Sequence, residues 1–425
     1  MQVSQSSNFL CKSLVTTVAF TVLMGCGGGG GGDGTPEPAT TPPPTAEQPV
    51  IGEDNFDGKA ALLANIVQSI ITPAFTKFVT SSNDLSISVT DYCAGLGGAE
   101  ETALLDDARI KWQTAMLDYQ KIELMQVGPL IANDSELRNR FYSYPVVSTC
   151  AVDQHVINFE NNVLSNGSAF DINLTEPNRL GLDTLEYLLF NRVLTHSCPD
   201  QVTVTSDDNW NVRTDAERIA LRCNYAEEVA KKLNTDANAL VAAWDPNGVN
   251  QFINAGSADS AFATEKVAIN AISDALFYSD TVLKDEKLAK AIGIAANSCS
   301  GAICTQDLES QFAKTSKEQI LANLQALQEI FLGNTASATE EGVGFDDYLI
   351  ALDGETLAST IAQDIAKAIA STNNVEGNLF DALTTSQAQV EQIHDDIKTV
   401  TDQLKTDFIN QLGLELPATA AGDND

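Results

Sequence analysis

Two acidic residues stand three apart in an otherwise apolar stretch, Leu180-Gly181-Leu182-Asp183-Thr184-Leu185-Glu186-Tyr187-Leu188-Leu189-Phe190. On a helix, positions i and i+3 are neighbours, so both carboxylates project to one side. Leu182, Leu185, Leu188 and Leu189 want a core. Burying two carboxylates among them is costly without compensation. A hard cation, an arginine or a hydrogen-bonded ligand would each supply it. Arg109, Arg138, Arg140 and Arg179 are the candidate arginines for a closed salt bridge. The plain structural alternative is a helix whose acidic side is solvated, as on many exposed faces.

Other catalytic patterns are missing. The chain has no Gly-x-Ser-x-Gly elbow and no HExxH. The glycine run at 25–34 has no Lys-Ser/Thr after it and reads as a linker, not a phosphate loop. His155, His196 and His394 are far apart in sequence and read as ordinary surface or packing histidines. The net charge is −34, from 24 Lys+Arg against 58 Asp+Glu over 425 residues. Nucleic acid is excluded as a partner, because phosphates need basic residues. The same charge gathers cations non-specifically.

The elements that must hold the acidic pair are helical. Six of the 13 prolines lie between Pro36 and Pro49, and eight of the 27 glycines between Gly25 and Gly34. The body is thus poor in helix breakers. Apolar residues recur at helical spacing from Leu62 to Phe75. Residues 84–90 alternate and fit a short strand or an irregular helix start. Residues 100–126 give the clearest helix, with Leu105, Ala108, Trp112, Ala115, Tyr119 and Ile122 on one stripe. Gly128-Pro129 stops it. Trp112 and Tyr119 read as packing residues. Short helices follow near 136–142 and 150–162, then one from Pro177 to about 193 carrying the acidic pair. A long helix over 212–244 ends at Asp245-Pro246-Asn247-Gly248. Helices near 258–291, 307–332, 355–371 and 384–412 complete the chain. With no apolar run of 18 residues, nothing in the body is expected to span a membrane. The fold class is all-α, with two helical bundles at 57–250 and 251–425.

The N-terminus reads as an address and a tether. Lys12 precedes an apolar run of 11 residues, too short for a bilayer span and right for a signal peptide over 1–25. It ends in Leu23-Met24-Gly25-Cys26, which resembles a bacterial lipobox, making Cys26 the expected lipidation site and mature N-terminus. Residues 26–56 are a Gly/Pro-rich spacer. Residue 27 is Gly rather than Asp, which by analogy with Gram-negative sorting indicates the outer membrane. The expected location is the cell envelope, lipid-anchored and facing the periplasm or the cell surface. Six further cysteines, Cys93, Cys150, Cys198, Cys223, Cys299 and Cys304, suit disulfides in an exported chain, although six permit 15 pairings. Sequential pairing, 93–150, 198–223 and 299–304, is the expectation. A metal-thiolate site is the weaker alternative, since no CxxC occurs.

Gly181-Leu182-Asp183-Thr184-Leu185-Glu186-Tyr187-Leu188-Leu189 resembles the GxHxxE segment of the imelysin family. Ala108-Arg109 through Trp112, Tyr119, Glu123 and Gly128-Pro129 resembles that family's first long helix. Arg140-Phe141-Tyr142 with Pro145 and Cys150 resembles its next segment. Lys284-Asp285-Glu286-Lys287-Leu288 with Gly293, Gly344-Phe345-Asp346-Asp347-Tyr348-Leu349, Leu412-Gly413 and the terminal Gly422-Asp423-Asn424-Asp425 resemble later ones. The resemblance covers about 58–425. It implies two duplicated helical bundles with the motif near the groove between them, in an exported bacterial protein linked to iron uptake, with envelope iron-uptake proteins as partners. Some members are classed as metallopeptidases.

Asp183 stands where the motif has His. Carboxylates prefer harder cations than imidazole does, and the usual zinc-hydrolase ligand and base is missing. Peptidase activity is therefore not carried over. The expected ligand site is Glu123, Arg140, Asp183 and Glu186, with Arg140 as charge partner. Asp183 and Glu186 are the expected ligands of iron or another divalent cation. These side chains are expected to converge.

Overall fold

A computed structural model describes residues 54–421, except 165, 200, 201, 203–209, 337, 339 and 340. The signal segment 1–25, Cys26, nearly all of the tether and Gly422 to Asp425 lie outside the described residues. The described residues all fall within one compact unit.

The described body is all-α, and its only β pairing among the described residues is an isolated bridge between Val163 and Ala169. Helix α1 (Lys59–Asn65) runs through a π-helical stretch, Ile66–Ile71, into α2 (Thr72–Ala94). Then come α3 (Glu101–Glu123), α4 (Ala132–Phe141), α5 (Thr149–Glu160), α6 (Gly181–Phe190) and α7 (Asp215–Ala243). Short α8 (Val249–Ile253) and α9 (Glu265–Leu276) lead to a π-helical stretch, Ser279–Ala289, and α10 (Lys290–Ile292). The chain closes with α11 (Ser316–Leu332), α12 (Phe345–Ala351), α13 (Glu355–Asn374), α14 (Leu379–Thr385), α15 (Gln387–Gln403) and α16 (Ile409–Leu412).

Local chemistry sets these boundaries. Thr214 and Glu217 form a reciprocal capping box at the start of α7, which satisfies two orphan donors. Asn378 caps α14 by accepting from the Asp381 amide. Gly293 and Gly333 end α10 and α11 in the left-handed conformation. Residues 84–90 are helical, not a strand. Leu85, Val89 and Tyr92 are buried at helical spacing while Ile87 faces outward, so the apparent alternation is one side of a helix.

α2 packs along α3 and α7, and α6 lies against α7 and α3. In the later half, α13 packs on α11 and α15, and α11 also rests on α3. One apolar cluster runs from Leu62 on α1 to residues of α11, α13 and α16, and a smaller one is built from Leu283, Leu324, Leu379 and Ile393 with their neighbours. The run from Lys59 to Ala94 is long and apolar enough to cross a membrane by length and composition alone, although it holds no uninterrupted apolar stretch of 18 residues. Its apolar side chains Leu62, Ile66, Phe75, Phe78 and Leu85 are spent in the core.

The disulfides correct the sequential pairing. Cys299–Cys304 forms as expected, but the other four pair as Cys93–Cys223 and Cys150–Cys198. Since α2 lies along α7, the end of α2 meets Cys223 on α7. Cys150, at the start of α5, then closes with Cys198 in the loop after α6.

Candidate functional site

The site begins at a glycine. Gly181 opens α6 with φ +76, and a Cβ there would stand 2.4 Å from the Phe141 carbonyl oxygen and 2.7 Å from that of Arg140. Only glycine allows both the backbone conformation and this approach. The start of α6 is thereby pressed against the end of α4, which sets Asp183 beside Ser143. Asp183 Oδ2 accepts from the Ser143 amide at 3.1 Å and from the Ser143 hydroxyl, and Oδ1 accepts from the Thr184 amide at 3.0 Å. The indole nitrogen of Trp112 donates to the Leu182 carbonyl at 2.7 Å and pins α3 to α6.

One helical turn on, Glu186 reaches into the later half of the chain. Its Oε1 accepts from the amides of Phe312 and Ala313 at 2.7 and 2.8 Å. These belong to a turn in which Ser310 and Lys314 adopt positive φ. Phe312 meets Tyr187 edge to face at 5.2 Å. Among the described residues, no hydrogen bond reaches Glu186 Oε2.

Asp183 and Glu186 line a cavity of about 710 Å³. Its walls include Tyr142, Tyr144 and Tyr187 from the first half and Asp307, Ser310 and Phe312 from the second. The Tyr142 and Tyr144 rings lie nearly parallel, 14° apart with centroids at 6.1 Å. The Cys299–Cys304 disulfide flanks the rim segment containing Asn297 and Ser298, and Cys150–Cys198 ties down the start of α5 at Thr149. Behind the cavity, the Tyr187 hydroxyl donates to Asp153 at 2.7 Å, and Arg222 bridges to Asp153 at 3.1 Å while lying over the Tyr187 ring.

Among the described residues, neither acidic side chain meets a cationic partner. Arg109 bonds the Leu189 carbonyl and Asp106, Arg138 bonds Asn139, Arg140 pairs with Asp236, and Arg179 with Glu176. The closed salt bridge considered from sequence is thus not formed by any of these four. Burial pushes Asp183 up to about 7 despite its Ser143 and Thr184 hydrogen bonds. Burial likewise raises Glu186 to about 7 against the pull of the two amides, with Asp183 and Glu309 adding repulsion.

Glu123 and Arg140 do not line this cavity. Arg140 contributes its backbone carbonyl beside Gly181, while its side chain turns to Asp236. Glu123 sits in a buried network: Lys287 donates to its Oε2 at 2.6 Å, and Tyr278 donates to its Oε1 at 2.9 Å. Lys287 also reaches Gln120, Asn323 and Glu309. Burial alone would lower the lysine, but Glu123 and Glu309 reverse that, and its pKa is raised. Tyr142 stands between the two places, lining the cavity with its hydroxyl acting on Glu309. The structure therefore unites Asp183 with Glu186 and sets Glu123 one layer behind.

The arrangement does not fit a bare metal ion. Both oxygens of Asp183 are taken by N–H and O–H donors, and among the described residues no group of three or more His, Cys, Asp or Glu is arranged as metal ligands. His155 is buried beside Phe170 and Tyr225, and burial, with Arg179, depresses it to about 4. Sequence reading missed Ser143, Tyr142 and Tyr144 as site residues. The compact run Tyr142-Ser143-Tyr144-Pro145 was the available signal. Lys287 was visible only as part of a motif.

The family model for imelysin matches residues 71–406. Among solved structures, an imelysin-like protein from Psychrobacter arcticum is similar with a TM-score of 0.61 at 17% identity, covering 86% of this chain and 98% of that one. A "putative iron-regulated protein A precursor" from Parabacteroides distasonis is similar with a TM-score of 0.63 at 14% identity, covering 85% of this chain and 96% of the other. At these identities the likeness is one of fold. No curated protein matches the chain.

Proposed function

The chain belongs to the imelysin family, and on that premise we propose that it is a ligand-binding lipoprotein of the cell envelope that serves iron uptake. The observation that carries the binding role is a buried pair of carboxyl groups, Asp183 and Glu186, facing a cavity with no cationic partner among the described residues. Paired acids in a pre-formed cavity of this size are a usual form of a small-ligand site. The link to iron rests on family membership and on the name of the Parabacteroides neighbour, an iron-regulated protein.

In this reading Cys26 carries the lipid, residues 26–56 are the spacer, and the protein sits at the outer membrane. Residues 57–250 and 251–425 act as the two bundles that wall the cavity. Envelope iron-uptake proteins are its partners. The role is binding and not peptide hydrolysis, because Asp183 replaces the motif's His and is held by Ser143.

Calorimetry with envelope extracts and iron chelates, run at high salt to suppress the collective charge, tests the proposal. A ligand should bind the wild type and not Asp183→Ala plus Glu186→Ala. Equal binding by both proteins would sink it.

A further inference from the structure

The chemistry of the cavity narrows what it holds, and this inference rests on the binding role proposed above. Glu186 is 5% exposed, yet among the described residues its Oε2 has no donor while Oε1 is held by two amides. Asp183 offers no free oxygen, so the site presents one directed carboxylate acceptor and not a cage. The rings of Tyr142, Tyr144 and Tyr187 line the same cavity. Lys290, also at the cavity, is already paired with Glu286. One acceptor set among aromatic faces suits a cation that donates N–H bonds and is weakly hydrated. A divalent metal would need several oxygens at once.

We propose that this cavity binds a small organic monocation, an ammonium or a guanidinium, which donates to Glu186 Oε2 and rests its charge among the rings of Tyr142 and Tyr144. The charged groups facing Glu186 are Asp183 and Glu309, with Asp307 and Lys290 at the cavity wall. Burial holds Glu186 at about 7, so an arriving cation displaces a proton from it. Binding should therefore weaken as pH falls below that value.

The test uses the purified protein at high salt with four probes: phenethylammonium, phenethylguanidinium, neutral 2-phenylethanol and manganese(II). Calorimetry should show the two organic cations binding and the alcohol not. The ratio between the two cations tells ammonium from guanidinium. Glu186→Gln keeps an oxygen for the Phe312 and Ala313 amides but turns the free atom into a donor. It should hold or raise the melting temperature, since a neutral amide carries no buried charge, and should lose about 10- to 100-fold in cation affinity. Tyr144→Leu is a second, independent variant and should cost about 2- to 30-fold. Equal binding of alcohol and cations, or unchanged cation binding by Glu186→Gln, would overturn the inference. Direct binding of manganese by the wild type but not by Asp183→Ala plus Glu186→Ala would also overturn it, leaving the general binding role intact. If none of the four probes binds but an iron chelate does, in a manner dependent on Asp183 and Glu186, the organic cation is wrong and the site stands. If neither probes nor chelates bind, both readings fall.

Discussion

Gly181 and Phe141 approach so closely that a Cβ on the glycine would lie 2.4 Å from the phenylalanine carbonyl oxygen. This contact seats α6 and so aims Asp183. Gly181→Ala should force the two helices apart and strain a left-handed φ, costing about 2–4 kcal/mol. Urea unfolding checks the stability, and loss of ligand binding out of proportion to unfolding would show that the aim was lost too.

Asp183 and Glu186 make stability depend on pH with a definite sign. Both are held at about 7 in the fold against 3.8 and 4.5 ordinarily. The folded state therefore binds more protons in between. Their contribution is fully present below about pH 4 and is lost as pH rises through 7. Asp183→Asn plus Glu186→Gln should flatten that part of the profile. Denaturant unfolding across the range measures it, and an unchanged slope would refute the assignment.

Lys287 pairs with both Glu123 and Glu309 in their shared network. Lys287→Met would leave two buried carboxyls facing each other and should cost about 3–5 kcal/mol. Adding Glu123→Gln and Glu309→Gln should restore most of that loss. A triple variant as unstable as the single one would mean that lysine packing, not charge, dominates.

The disulfides should differ in worth. Cys93–Cys223 closes 130 residues and Cys299–Cys304 only five. Loop entropy alone gives about 5 against about 2 kcal/mol. Paired serine substitutions with thermal unfolding test the ranking. Non-reducing peptide mapping should recover 93 with 223 and 150 with 198.

What the sequence made legible was what local spacing encodes. The stripe from Leu105 to Ile122 places α3, and the acids at 183 and 186 stand out because their helix is otherwise apolar. What stayed hidden depends on distant partners. Glu123 is an unremarkable helical acid until Lys287, 164 residues away, arrives beside it. The Glu186 amide partners at 312 and 313 belong to an irregular turn with no periodicity to read. The cysteine pairing failed for the same reason, since chain order says little about which helices lie side by side.

The bond from Tyr187 to Asp153, locked by Arg222, bears on how tightly any occupant is held. A phenol already fixed by a hydrogen bond at its tip and a guanidinium on its face has little rotamer freedom left to surrender. An incoming molecule meets a wall that is stiff beforehand, so less of its contact energy is consumed in ordering the host. Loosening Arg222, a residue outside the cavity, would then show up as a faster off-rate for a ligand it never touches.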